Sequence, residues 1–529
     1  MATKKEESLS YLQMPLPKEY KKAKIVKKTW SGYNRRQTVD TGMLSYEENI
    51  STAETPYLVP AQKYNKVSTD TNSIGIGLFG FADFLIKIYG KKNGDKYDIF
   101  AERKTAAGSD VCLIKEGATE EECKVQRSVV QFNVYNVVTD PAEGIYYKKI
   151  LIFPDKVSLD YEIEEIKELE EGKDKPEADD ILEHITYKYG GKYYSKSGKT
   201  VTEYDNVPCF DLGKTFPDIK YATVHLSRLF GVDDGRVYAS EFNNYAGWKL
   251  DTVDEYNEAN AWVSSSGANA KAGGEFTGIT AFQNHVICFK KDFMHELYNT
   301  KNPFRIQDIY AEGCIDNRTI QDVDGLLIFV SEDNVKVYTG SNPRILSYDL
   351  GIKEYRNAVS GTDGRNYYLY CKDEKNAGHI FVYDTFCSSW SRMDNVGDIC
   401  GFAKCSHGMY MYSVGGSLYK LDTGVYGSWC FETDLITNGS CDIKHIEKLQ
   451  MFCDISKDSD MSVYFLYDEE SKKHKVWSIE GAPYDIQKVI RVKPRMTAHH
   501  GFKVRIEGRG FVRIRSMELL IQGGGELYV

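Results

Sequence analysis

Phe276-Thr277-Gly278-Ile279-Thr280-Ala281-Phe282 reads as a short apolar strand that turns at Gln283-Asn284 and returns as His285-Val286-Ile287-Cys288-Phe289. The unit recurs three more times before Gly424, with turns at Asp324-Gly325, Asp363-Gly364 and His407-Gly408 and an aromatic-rich exit after each hairpin. The steps from 284 to 325 to 364 to 408 are each about forty residues, the period of propeller blades. One such hairpin cannot cover its own apolar faces and needs neighbours around an axis to do so. The repeat therefore predicts a β-propeller, and it speaks for a scaffold before it speaks for an enzyme.

Composition agrees with an all-β chain. Of 529 residues 13% are aromatic, with 38 Tyr and 24 Phe against 13 Pro, a profile that favours strands over helix bundles. A formal charge of −10 and a pI near 5.6 argue against a surface built to wrap nucleic acid, which needs a concentrated basic face. The 12 cysteines show no zinc spacing, Cys400 and Cys405 being the nearest pair; they read as reduced, half-buried small hydrophobes. The opening Met-Ala-Thr-Lys-Lys-Glu-Glu lacks the apolar core of a signal peptide, and no apolar run approaches the ~18 residues of a membrane span. Assembly in a cytoplasm without a membrane anchor is the expectation. The sequons at Asn317 and Asn438 then carry no weight.

Along the chain, residues 1–60 differ from the rest: a basic stretch from Lys18 to Arg36, then an extended segment ending Thr55-Pro56-Tyr57-Leu58-Val59-Pro60. Paired prolines and aromatic anchors in a polar stretch suit an arm laid on a neighbouring surface. Its candidate oligomer-docking residues are Trp30, Tyr33, Asn34, Leu44, Asn49, Pro56, Tyr57, Leu58 and Pro60. Residues 61–427 form the propeller, with further hairpins at 72–100, at 129–153, at Tyr187 to Tyr194 and at Asp234-Gly235. An acidic segment near 161–180 interrupts the rhythm as an insertion. From 428 to 529 six alternating strands predict an antiparallel β-sandwich.

Gly75-x-Gly77-x-x-Gly80 matches a dinucleotide fingerprint, but no strand precedes it and no helix follows, so close strand packing is the better reading. Ser360-Gly361-Thr362-Asp363-Gly364 reads as a hairpin turn rather than a glycosidase signature. His499-His500 beside Arg495 has no third ligand at a useful spacing. No catalytic, cofactor or metal residues are assigned. Residues two apart in a strand share a face, so Lys503, Arg505, Arg513 and Arg515 are expected on one sheet surface as a candidate interface.

Trp30-Ser31-Gly32-Tyr33-Asn34, Gly42-Met43-Leu44 with Asn49, and Pro56-Tyr57-Leu58-Val59-Pro60 together resemble the opening of bacteriophage tail hub or tail nozzle proteins, the stabilisation proteins also called tail tubular protein B. Arg228-Leu229-Phe230-Gly231, Val237-Tyr238-Ala239-Ser240, 355–361 and Phe381-Val382-Tyr383-Asp384-Thr385 with Trp390 are similar to blade segments of that family. The family's Arg after the second proline is replaced here by Ala61-Gln62. The resemblance implies a structural virion protein of the tail, a ring, taken as a hexamer, that extends the DNA ejection channel below the portal or adaptor. Its partners would be copies of itself, the portal or adaptor and other tail proteins, with double-stranded DNA passing without specific contacts and no cofactor. Two other classes stand beside it. A receptor- or glycan-binding propeller would expose Trp248, Trp262 or Trp390 as sugar platforms, and a propeller-scaffold hydrolase would converge acids at the central pore.

Overall fold

The computed structural model describes residues 22–34, 43–136, 145–170, 173–252, 255, 257–264, 274–298, 301–310, 313–421, 424–437, 443–468, 472–494 and 499–523. They form two compact units: one from 61–425, the other from the described parts of 1–60 and 426–529. No helix among them is long and apolar enough to cross a membrane.

The 61–425 unit is a β-propeller with seven blades among the described residues, each a four-stranded antiparallel sheet. The innermost strands are Ser73–Gly80, Ser128–Asn136, Tyr221–His225, Phe276–Phe282, Gln321–Val323, Arg356–Thr362 and Ile399–Cys405, numbered here as blades 1 to 7. The four turns of the forty-residue repeat join the first and second strands of blades 4 to 7. Gln283, Asp324, Gly325, Gly364 and Gly408 all have positive φ there, the geometry a tight hairpin requires. Blade 7 is completed by Asn65–Thr69, which pairs with Ser417–Lys420. The start of the unit thus closes its end, the outermost strand of the last blade coming from the head of the unit.

The Gly75-x-Gly77-x-x-Gly80 run lies at that same seam. A Cβ on Gly75 would collide with the Ser413 carbonyl, and one on Gly80 with that of Lys404. The glycines let blade 1 approach blade 7 backbone to backbone, which is the packing reading of the motif.

The insertion is larger than the acidic segment alone and lies within a blade. Blade 2 runs Ser128–Asn136, Ile145–Phe153 and Val157–Asp160, and takes its fourth strand from Phe210–Asp211. Between the last two, Ile163–Glu165, Thr186–Tyr189, Lys192–Ser197 and Thr200–Tyr204 build a separate sheet whose first pairing is parallel. Lys149 and Thr186 meet on the buried Asp160 carboxylate, tying the inserted sheet to blade 2.

The other unit is a sandwich of a four-stranded and a five-stranded sheet. All six C-terminal strands expected from alternation are present, and Ser428–Thr433 adds a seventh. Residues 22–60 correct the reading of a docking arm. Lys22–Lys27 pairs with Val512–Gly523 at the edge of one sheet, and Leu44–Glu48 pairs with Ser428–Thr433 at the edge of the other. Each outer edge so occupied is one that would otherwise present unpaired backbone groups.

Half-buried tyrosines mark the propeller. Partial burial, with Glu102 and Asp70 adding to it, pushes Tyr89 up to about 12. Tyr238, half-buried and hydrogen-bonded to Asp233, and the half-buried Tyr245 also rise to about 12. A phenol whose folded pKa exceeds its unfolded value near 10 contributes stability that is whole below that value and is lost as pH rises through the folded pKa. The melting midpoint should therefore hold to about pH 10 and fall toward pH 12. Tyrosinate absorbance that titrates entirely near pH 10 in the folded protein would contradict this.

Candidate functional site

The seven innermost strands all contribute to one cavity on the propeller axis, about 390 Å³ in volume. Small residues of its wall, among them Gly77, Ala222, Ser360 and Gly361, alternate with larger ones such as Phe79, Ile279 and Phe402.

A polar chain runs beside the cavity and reaches its wall through Arg318. The Gln126 amide, just ahead of blade 2, donates to Asp316 Oδ2 at 2.6 Å, just ahead of blade 5. Two segments three blades apart in a seven-fold wheel meet only near its axis. Arg318 turns back on the same carboxylate, Nε to Oδ1 at 3.1 Å and Nη2 to Oδ2 at 2.8 Å. The segment is pinned from its other sides as well. Asn317 Oδ1 accepts from the Ile279 amide of blade 4, and the Arg318 carbonyl accepts from Ser360 of blade 6. Toward the hairpin-tip end of the inner strands, Lys404 donates to the Asp363 carbonyl.

No carboxylate is among the residues lining the cavity, whose charged members are Arg127, Arg318 and Lys404. Among the described residues there is no cluster of three or more His, Cys, Asp or Glu able to hold a metal ion. Sequence reading passed over Asn317-Arg318-Thr319 as an idle sequon. The signal that could have found Arg318 is its place just before the first strand of a blade, where side chains point at the axis.

The anchors of residues 22–60 are gathered into their own sandwich. Trp30, Leu44 and Leu58 belong to its core, with Trp30 edge-on to Phe431 at 5.8 Å between centroids. Tyr33 is buried and bridges to Leu44. Asn34 is buried, its amide nitrogen 3.0 Å from Met43 Sδ. Asn49 donates to the Ser428 carbonyl, and Pro60 pairs with Ile50. Pro56 is exposed; Tyr57 is half-buried beneath the Arg515 guanidinium, 5.5 Å from the ring centroid.

The basic face is corrected too. Lys503 and Arg505 lie on the five-stranded sheet, Arg513 and Arg515 on the four-stranded one, because the chain changes sheets at Gly510-Phe511. Phe502, Val504, Val512 and Ile514 all enter the shared core, so the cations point outward from opposite sides. Three of them have acidic partners: Arg505 with Glu432 at 2.6 Å and with Glu507, Arg513 with Glu54, and Arg515 with Asp454 at 2.7 Å. Elsewhere His499 pairs with Asp468 at 2.7 Å and stacks on Tyr467; Arg495 lies outside the described residues. Of the tryptophans considered as sugar platforms, Trp390 is buried and donates to the Leu346 carbonyl. Trp248 packs on Phe216 and Tyr238, and Trp262 on Phe304.

A buried arginine shapes the loop after blade 3's third strand. Arg228, 2% exposed, donates to the carbonyls of Ser240, Asn260 and Glu258 at 2.5 to 2.9 Å. Hydrogen bonds to a charged group contribute about 1.5–3 kcal/mol each, so Arg228→Met should destabilise the propeller by about 3 kcal/mol in denaturant titration. It should also open 241–260 to proteases. Unchanged cleavage there would show that the loop holds itself.

The class these features define is an all-β protein, a seven-bladed propeller joined to a two-sheet sandwich. No family model matches the chain, and no curated protein matches it. Among solved structures it is similar to BamB from Moraxella catarrhalis, at 13% identity over 68% of this chain and 100% of that one, with a TM-score of 0.28. It is also similar to a Trypanosoma rangeli sialidase, at 8% identity over 93% and 96% with a TM-score of 0.25. A third is the GH43 protein BlXynB of Bacillus licheniformis, at 6% identity over 87% and 100% with a TM-score of 0.19. Likenesses at these scores carry no argument about what the chain does.

Proposed function

We infer that the chain is a structural, non-enzymatic subunit of a bacteriophage tail, assembling as a ring of six copies that extends the DNA ejection channel below the portal or adaptor. The sequence resemblance in residues 30–60 and in the blades points to that class, and the observation that carries the reading is the axial cavity. At about 390 Å³ it has the size of a small-molecule pocket, and Arg318, tied through Asp316 to Gln126, stands on its wall. A duplex cannot pass along the axis of one propeller, so a conduit built from this chain must be enclosed between copies. Closed blades supply a rigid wall without long open edges, and a net charge of −10 keeps such a wall from gripping phosphate.

Native mass spectrometry of the purified full chain tests this. A sixfold assembly with an open centre in electron micrographs is the expected result. A stable monomer at micromolar concentration, alone and with tail partners, would overturn it.

A further inference from the structure

The residues lining the axial cavity include three cations and no carboxylate, in a chain where acids outnumber bases 77 to 67. Two of the cations are used very differently. Arg127 is saturated: Nε and Nη2 donate to Asp155, and Nη1 to the carbonyls of Glu122 and Val125. Arg318 gives only one edge of its guanidinium, Nε and Nη2, to Asp316. Its Nη1 has no acceptor among the described residues, although Arg318 is on the cavity wall. A guanidinium carries five N–H donors in one plane, so the Nη1–Nη2 edge is left as a two-pronged donor inside a partly dehydrated chamber. Lys404, without an acidic partner among the described residues, raises the potential of the same chamber.

We propose that the axial cavity is a binding site for a small oxyanion ligand, a carboxylate or phosphate group on a body that fits within it, gripped by the free edge of Arg318. Bidentate pairing of an arginine with a carboxylate or phosphate is among the stronger polar contacts available to a protein. Thr223 and Thr362 on the wall accept from the Ala281 and Gly364 amides, so their O–H groups can donate to the ligand's neutral part. Asp316 lies behind Arg318 and sets how much positive charge reaches the cavity.

Isothermal titration of the full chain at constant ionic strength, with glucuronate in one arm, inorganic phosphate in a second and glucose as the neutral control, tests the site. Saturable binding of one oxyanion to each chain is expected, and which arm binds tells a sugar acid from a phosphate. Losing a charge-assisted bidentate contact should weaken binding about tenfold or more in Arg318→Gln. Asp316→Asn keeps the shape but removes the neutralising charge, and should tighten binding by about threefold or more. A merely structural Arg318 would not give that gain. If Arg318→Gln fails to fold, the Asp316→Asn variant decides alone. The proposal is overturned by no saturable binding of either oxyanion up to about 10 mM, by undiminished binding in folded Arg318→Gln, or by unchanged or weaker binding in Asp316→Asn.

Discussion

Removal of residues 1–60 is expected to unfold the sandwich while leaving the seven blades intact. The truncation takes one strand from each sheet and removes Trp30, Leu44, Ile50 and Leu58, each 4% exposed or less, from a single core. Large-to-small changes at such sites cost about 2–5 kcal/mol apiece, and four together rival the whole stability of a typical domain, about 5–15 kcal/mol. Losses continue beyond the core. The buried Lys27 no longer meets Asp434, Arg513 loses Glu54, and two sheet edges are laid bare. The propeller begins at 61 and keeps its closing strand Asn65–Thr69, so its transition should stand. Limited proteolysis should digest 426–529 and spare 61–425, and Leu44→Ala alone should lower the unfolding free energy of the sandwich by about 3 kcal/mol. A truncated chain that retains a protease-resistant sandwich with its own cooperative transition would show that the N-terminal strands are dispensable, and would return 22–60 to the role of a free arm.

That segment also shows where sequence reading stops. Trp30, Leu44 and Leu58 in a polar stretch announce burial but do not say against what. The partner strands Ser428–Thr433 and Val512–Gly523 lie about four hundred and about five hundred residues further on, and no local pattern encodes pairings of that separation. Hairpins are different, because the turn chemistry at 283–284, 324–325, 363–364 and 407–408 and the alternation on either side are both local. The number of blades was hidden by the insertion: 163–204 carries strands and Gly190-Gly191 turn signals like any blade, and only its parallel first pairing, Ile163 with Thr186, sets it apart. Alternation within a strand puts Lys503 beside Arg505 and Arg513 beside Arg515, but it does not say that the two strands share a sheet. A single change of sheet after Arg509 then sent the two pairs to opposite sides. Arg318 was legible as a residue but not as a site, since its meaning depends on knowing which strand stands innermost.

Lys87→Met is expected to loosen the closure of the propeller by about 3–5 kcal/mol, the cost of stranding a buried partner of opposite charge. Lys87 is 1% exposed on the second strand of blade 1. Its ammonium sits 2.7 Å from Asp70 Oδ2 and 2.5 Å from Glu102 Oε2, with the rings of Tyr89 and Tyr412 at 5.0 and 5.6 Å. Asp70 occupies the turn between the closing strand Asn65–Thr69 and the inner strand of blade 1, and it also accepts from Tyr412 of blade 7 at 3.3 Å. One cation therefore holds both sides of the seam. Methionine fills the space of the lysine stem but leaves two carboxylates facing each other in a dehydrated site. Adding Asp70→Asn and Glu102→Gln to Lys87→Met should recover most of the loss, because the neutral trio leaves no stranded charge. Denaturant titration of the parent chain, the single and the triple variant gives the energies, and hydrogen exchange at Asn65–Thr69 reports the seam itself. Equal destabilisation of the single and triple variants would mean that the lysine acts through packing alone and that the ring is closed by the backbone ladder of blade 7.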